Sequence, residues 1–332
     1  MPAAHRPASP PILLADIGGT HARFALAGAD SAQPLLAGSV RAFLVDDFDS
    51  LAEAAERYLE GMDARPSRAV MAVAARIDGD TARMTNHRWV VSRSRLCTEL
   101  GLESVLLVND FVAQARAIPL LGRADLATIG APALPRHDDG GDRTFAVAGA
   151  GTGLGVALLL RRDGRWSALA TEGGHAGFAP ATPTEIGILE QLAADFGRVS
   201  NERLVSGAGL VNLHRALGRI EGLAGTAAPS PEDVTARAAS GDRLSRRAVE
   251  AFRDVFASVA GDLVLTFGAW DGIYLSGGLV PALLSVLQGP GFRERFEDKG
   301  RYASAMATVP ALAVLHPQPG LLGAAALSGE SS

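Results

Sequence analysis

Twice along the chain an apolar run of strand length ends in glycine and turns straight back. No other feature narrows the possible folds as much. ILLADI (12–17) meets Gly18-Gly19 and returns as HARFALAG (21–28), and TFAVAGA (144–150) meets Gly151-Thr152-Gly153 and returns as LGVALLLR (154–161). A short apolar run with little polar alternation marks a strand covered on both faces, and glycine provides the backbone freedom of a tight reversal. Asp163-Gly164 predicts a further hairpin after the second return. Other buried strands are predicted at RAVMAVAA (68–75), SVLLVN (104–109), GIYLSGG (272–278) and ALAVLH (311–316).

Helices are predicted between these strands. Ser50 with Glu53 forms a capping box that opens one, and Gly61 closes it. Another lies around Leu96 and Leu100, and a third runs from Asp110 to Ile118, stopped by Pro119. Thr182, Pro183 and Glu185 start a helix over 183–196, and others follow at 207–217, after Ser230-Pro231-Asp233, over the amphipathic stretch 243–268, and in PGLLGAAALS at the end. The order strand, glycine turn, strand heads each half, an internal repeat of architecture rather than of identities. With 332 residues, too many for one ordinary core, the chain is expected to be α/β with two related lobes facing each other across a cleft, where ligands favour binding.

Composition excludes several chemistries. Of the 31 basic residues, 30 are Arg and one is Lys, Lys299 in FEDKGRY. A Walker A loop and a protein-kinase strand lysine both need a lysine in a different setting, and Schiff-base chemistry is equally disfavoured. The lone cysteine, Cys97, rules out a disulfide framework and a cysteine zinc site, fits a reducing compartment, and reads as a small core residue rather than a nucleophile. A net charge of -5 argues against nucleic acid as a partner. Residues 1–11 read as a loose tail with no targeting signal, and no run of eighteen apolar residues exists, so a cytoplasmic protein without membrane contact is expected.

Three glycine-rich turns follow buried strands: Asp16-Ile17-Gly18-Gly19-Thr20, Gly149–Gly155 (GAGTGLG) and Ser276-Gly277-Gly278. Each could simply reverse the chain. Together, with hydroxyls at Thr20 and Thr152, they read as nests of backbone N–H groups for a nucleotide's phosphates. Asp16 would repel phosphate directly, so its useful role is to hold Mg²⁺, through water. GAGTGLG also fits a loose G-x-G-x-x-G, but a strand follows where a dinucleotide site needs a helix. Asn109-Asp110 ends a strand and opens a helix. Asp110 there is either a helix-capping acid or the carboxylate that accepts a hydroxyl proton during phosphoryl transfer.

Glu172 and His175, three apart across Gly173-Gly174, suit sugar hydroxyls, which both donate and accept. A metal reading would need further ligands that are not nearby. Glu202 in SNERLVSG stands at a helix start, where an acid is favourable by dipole alone. Trp89 in MTNHRW reads as a core anchor rather than a sugar platform. His21 carries no assigned role, and His5, His137 and His214 read as surface or helix-face residues.

The chain resembles the bacterial glucokinase family of the hexokinase–actin-like ATPase superfamily. The resemblance is carried by LLADIGGTHARFAL, MTNHRW, NDFVAQARAIP, GAGTGLGVALL, EGGHAGFAP, ERLVSGAGLVNL, YLSGGLVP, FEDKGR and PGLLGAA, in order from residue 12 to about 326. The absence of a cysteine-rich zinc motif sets it apart from the repressor–kinase family of sugar kinases. The resemblance implies a two-lobed actin-like ATPase (ribonuclease H-like) fold with an interdomain cleft. Residues 12–120 with 311–332 would form the small lobe and 121–310 the large one.

It implies ATP-dependent phosphorylation of the glucose 6-hydroxyl with Mg²⁺. Asn109, Asp110, Glu172, His175 and Glu202 would bind glucose, with Asp110 as base. Ala15, Asp16, Ile17, Gly18, Gly19 and Thr20 would form the first phosphate loop and Gly151, Thr152 and Gly153 the second, with Gly277 and Gly278 near the adenosine. It also suggests a homodimer. Two positions depart from the family pattern: His21 stands where Asn is common, beside the phosphate loop, and Arg76 where Pro is common, in a loop near the sugar. The rival readings are a kinase for another hexose, such as mannose, and a non-catalytic sugar-sensing regulator on the same fold. For the latter, residues 1–11 are too short to be a DNA-binding segment.

Overall fold

The structure, a computed structural model, describes residues 10–28, 34–62, 65–84, 87–130, 141–223 and 229–329. Most of the tail expected at 1–11 lies outside the described residues, as do His5, Thr85, Asn86, His137 and most of the polar loop at 135–142. The chain divides into two compact units, residues 1–121 with 317–332, and residues 122–316.

The first unit contains β1 (Ile12–Ile17), β2 (His21–Ala27), β3 (Arg41–Leu44), β4 (Arg68–Val73), β5 (Ala75–Asp78), β6 (Thr81–Met84), β7 (Val90–Ser92) and β8 (Ser104–Asn109). Its main sheet has the order β3-β2-β1-β4-β8, and β5, β6 and β7 form a small separate sheet. β2 runs antiparallel to β1 and to β3, whereas β1, β4 and β8 are parallel. The strand expected over 68–75 leaves the main sheet after Val73, and Ala75 already belongs to β5.

The unbroken hydrophobicity of β1 has a direct cause. Leu13, Ala15 and Ile17 join a core that includes Phe24, Tyr58 and Leu96, while Leu14 joins Ala25, Val70, Leu321 and Ala324. Both faces are therefore covered, and each large apolar side chain so buried contributes about 1.5–3 kcal/mol. The helix Pro319–Ser328 supplies the second cover and also packs against the helix Asp110–Ala117. That contact depends on Gly323, where a Cβ would collide with the Ala113 backbone. Trp89 is 3% exposed and its indole N–H donates to the Phe48 carbonyl at 3.3 Å, so it anchors the core.

The second unit contains β9 (Leu126–Thr128), β10 (Arg143–Ala150), β11 (Leu154–Arg162), β12 (Arg165–Thr171), β13 (Gly272–Ser276) and β14 (Ala311–Val314), in the order β12-β11-β10-β13-β14-β9. β10, β11 and β12 are successive antiparallel neighbours, and β10, β13 and β14 are parallel. The pattern of the first sheet is thus repeated: three antiparallel strands, then two parallel ones, with β9 added at the edge. Asp163 (φ 50°) and Gly164 (φ 75°) form the two-residue hairpin turn their identities predict.

Thr182 and Ser230 cap their helices as expected, accepting from the amides of Glu185 and Asp233. The helix Arg243–Phe267 runs through the middle of the apolar core, burying Phe252, Phe256 and Val264. The helix expected over 207–217 extends to Ile220. One expectation needs correction. The strand at 311 is expected in the small lobe, but β14 pairs with β13 and β9, so the chain returns to the first unit only at Pro317.

Candidate functional site

In the first unit, parallel pairing aligns Ile17 with Val73 and Val73 with Asn109. The carboxyl ends of β1, β4 and β8 therefore finish in one row, the edge at which α/β sheets carry their chemistry. The turn Gly18-Gly19-Thr20 leaves from one end of that row and Asp110 from the other, two strand spacings apart, or about 10 Å. The turn is closed by the Gly18 amide donating to the His21 carbonyl at 2.9 Å. His21 serves here through its backbone, and its side chain is exposed, so the departure at this position leaves the turn intact. Arg76 lies in β5, directly opposite Arg83 of β6.

Asn109 is the N-cap of the Asp110 helix. Its Oδ1 accepts from the amides of Phe111 (2.9 Å) and Val112 (3.3 Å), and its Nδ2 donates to the Ala75 carbonyl at 3.2 Å. The amide oxygen is thus fully used, and one Nδ2 hydrogen remains for a ligand. Asp110 occupies the first helical turn, where the helix dipole favours its negative charge.

Asp16 pairs across the hairpin with Arg23. Desolvation pushes its pKa above the ordinary carboxylate range, offset in part by the Arg23 charge. A Cβ at Gly320, in the first turn of the C-terminal helix, would collide with the Asp16 carboxylate, so the helix start packs directly on this acid. Neither Arg23 nor Gly320 was singled out from the sequence. The hairpin register could have found Arg23; nothing local points to Gly320.

In the second unit, Gly149 of β10 aligns with Ser276 of β13, which brings their glycine turns together. Gly277 has φ +89°, and a Cβ there would collide with the backbone of Ala150, so only glycine fits. A Cβ at Gly151 would lie 3.9 Å from the Gly278 nitrogen. The turn at 151–153 is braced by the Gly151 amide donating to the Gly153 carbonyl (2.9 Å) and by the Gly207 amide donating to the Gly151 carbonyl (2.8 Å).

The structure also brings Glu172, His175 and Glu202 together, although 27 residues separate the last two in sequence. His175 Nε2 lies 3.9 Å from Glu172 Oε2, and its Nδ1 lies 3.9 Å from Glu202 Oε1. Both distances are too long for hydrogen bonds and leave these groups free to reach hydroxyls. The Glu172 side chain is 64% exposed and open to a ligand, whereas that of Glu202 is 29% exposed. Glu202 is held by the Leu154 amide, which donates to Oε2 at 2.9 Å. That amide was missed by sequence reasoning.

Among the described residues no cluster of three or more His, Cys, Asp or Glu could hold a metal, and no helix is long and apolar enough to cross a membrane. A lone carboxylate such as Asp16 suits an ion that keeps its waters and arrives on a nucleotide, not a resident metal held by a protein cage.

The two α/β units share a strand order, and each carries a glycine turn at the carboxyl end of a parallel strand. The sequence model of the Glucokinase family matches residues 13–330, and the chain belongs to that family. It is 54% identical over 323 residues to a glucokinase of Stenotrophomonas maltophilia (strain K279a), covering 97% of this chain and 96% of the relative. Its fold is similar to the crystal structure of a glucokinase from an Antarctic psychrotroph (TM-score 0.82, 34% identity, 97% and 99% of the two chains). It is also similar in fold to a Balamuthia mandrillaris glucokinase solved in complex with glucose (TM-score 0.77, 21% identity, 95% and 92% covered).

Proposed function

We propose that this chain transfers the γ-phosphoryl group of ATP to the 6-hydroxyl of D-glucose, with Asp110 as the general base. The observation that carries this reading is the row Ile17–Val73–Asn109, which sets a phosphate-type glycine turn and a carboxylate about 10 Å apart on one sheet edge. That is the scale of a sugar alcohol facing a triphosphate. The recurrence of one strand order in both sheets supports assigning the units to the actin-like, ribonuclease H-like fold.

In the proposed mechanism Glu172, His175 and Glu202, with the remaining N–H of Asn109, hold the sugar hydroxyls. Asp110 accepts the 6-hydroxyl proton as the oxygen attacks phosphorus in line. Backbone amides of residues 15–20 and 151–153 hold the phosphates, and Gly277-Gly278 leave room for the adenosine. Mg²⁺ bound with the nucleotide and reached by Asp16 through water would neutralise phosphate charge.

A coupled assay with ATP and glucose, mannose, fructose or N-acetylmannosamine tests the reading. Glucose is expected to give the highest kcat/KM. Higher kcat/KM with another hexose would reassign the substrate, and no turnover with any of them would leave a sugar-binding regulator.

A further inference from the structure

Gly153 ends the proposed phosphate loop and Leu154 opens the strand after it, yet their clearest contact is with a sugar-side acid. The Leu154 amide donates to Glu202 Oε2 at 2.9 Å, and a Cβ on Gly153 would sit 2.5 Å from that same oxygen. The next residues after Glu202 reinforce the arrangement. The hydroxyl of Ser206, a residue 2% exposed, donates to the Glu202 carbonyl at 2.8 Å. The following amide, that of Gly207, donates to the Gly151 carbonyl at 2.8 Å. The segment Glu202–Gly207 therefore grips the loop at both ends. On the other side of Leu154, Gly174 of the Glu172–His175 cluster packs so closely that a Cβ would collide with the Leu154 carbonyl.

We propose that Gly153 and the Leu154 amide are positioning groups for glucose. Through them the second phosphate loop orients the Glu202 carboxylate toward the sugar, and sugar and nucleotide affinities are coupled through this one hydrogen bond. The inference rests on the reading of Glu202 as a sugar ligand. Coupling of this kind is reciprocal: glucose that holds Glu202 against Leu154 also orders the loop that receives phosphate.

Gly153→Ala is a clean perturbation. Gly153 does not adopt a positive φ, and its added methyl would meet only the end of a flexible side chain. D-glucose binding would be measured by calorimetry without nucleotide for the full chain, for Gly153→Ala, for Glu202→Ala and for the double variant, with melting temperatures as the fold control. Each single variant is expected to weaken glucose by roughly tenfold or more, the range for a misplaced charged hydrogen bond. The double variant is expected to bind no worse than Glu202→Ala, because the carboxylate that the methyl would displace is gone.

A second measurement does not depend on Gly153. Glucose should raise the affinity for the ATP analogue AMPPNP, and the gain should persist in Glu202→Gln, which keeps an oxygen for the Leu154 amide, but vanish in Glu202→Ala. Wild-type glucose binding by Gly153→Ala, multiplicative losses in the double variant, or a gain that persists in Glu202→Ala would overturn the coupling while leaving Glu202 as a sugar ligand. Unchanged glucose binding by Glu202→Ala would remove the sugar-ligand reading and the inference together.

Discussion

Asn109 is asked to do two jobs, and the structure allows them to be separated. Its oxygen caps the Asp110 helix through two amides, and its nitrogen holds the Ala75 carbonyl. Asn109→Ala removes all three bonds, whereas Asn109→Ser keeps a capping oxygen and loses only the bond to Ala75. The cap contributes about 1 kcal/mol, and the Ala75 bond about another 1 kcal/mol. Alanine is therefore expected to cost about 2 kcal/mol, on the order of 4–8 °C in melting temperature, and serine about half of that.

Turnover should follow the cap, because Asp110 is the next residue. Serine should keep most of kcat, and alanine should lose it several-fold as the helix start frays. Both should raise the glucose KM by a similar factor, since both lose the one Nδ2 hydrogen left for the sugar. Calorimetric melting and a coupled kinase assay on the three proteins read these quantities. Equal melting temperatures and equal kcat for alanine and serine would refute the claim that capping fixes the base.

Glu172→Ala should raise the glucose KM by roughly tenfold with a smaller change in kcat, because it leaves hydroxyls unpaired; an unchanged KM would remove it from the sugar site. Tyr58 donates to the Ser39 carbonyl at 2.9 Å and stacks on Phe24 at 5.4 Å, so Tyr58→Phe should cost about 1 kcal/mol in stability and leave glucose kinetics unchanged. His214 is buried, and desolvation lowers its pKa below the ordinary 6.5, against the pull of Asp242. The unfolded chain therefore binds this proton more readily than the folded one, and stability should fall as pH drops below about 6.5. His214→Gln should flatten that part of the melting-temperature profile, and a profile of unchanged slope would contradict the assignment.

Much of the fold was legible because local chemistry and tertiary structure agree. Asp163-Gly164 and the caps Thr182 and Ser230 require only neighbouring residues, and all three are where their identities placed them. Strand neighbours are different. The side-chain period of a strand says which face is buried, not which strand lies alongside, so the run at 311–314 gave no sign that it belongs with β13 rather than with the first sheet. Its position just before the returning helix made the wrong lobe look natural.

The candidate site divides in the same way. Asp110 and the glycine turns follow buried strands and stand out in one dimension. The approach of Glu202 to Leu154 joins residues 48 apart, and that of Gly320 to Asp16 joins the two ends of the chain. Neither has a local signature, because both are set by how elements pack rather than by any segment's own propensity.

Everything proposed about the chemistry turns on the carboxylate that follows β8. Steady-state turnover of glucose with MgATP by Asp110→Ala, on protein whose melting temperature matches the parent, measures it directly. Loss of kcat by roughly a hundredfold or more, with glucose still bound, is the predicted result. Turnover close to that of the unaltered protein would mean that some other group takes the proton.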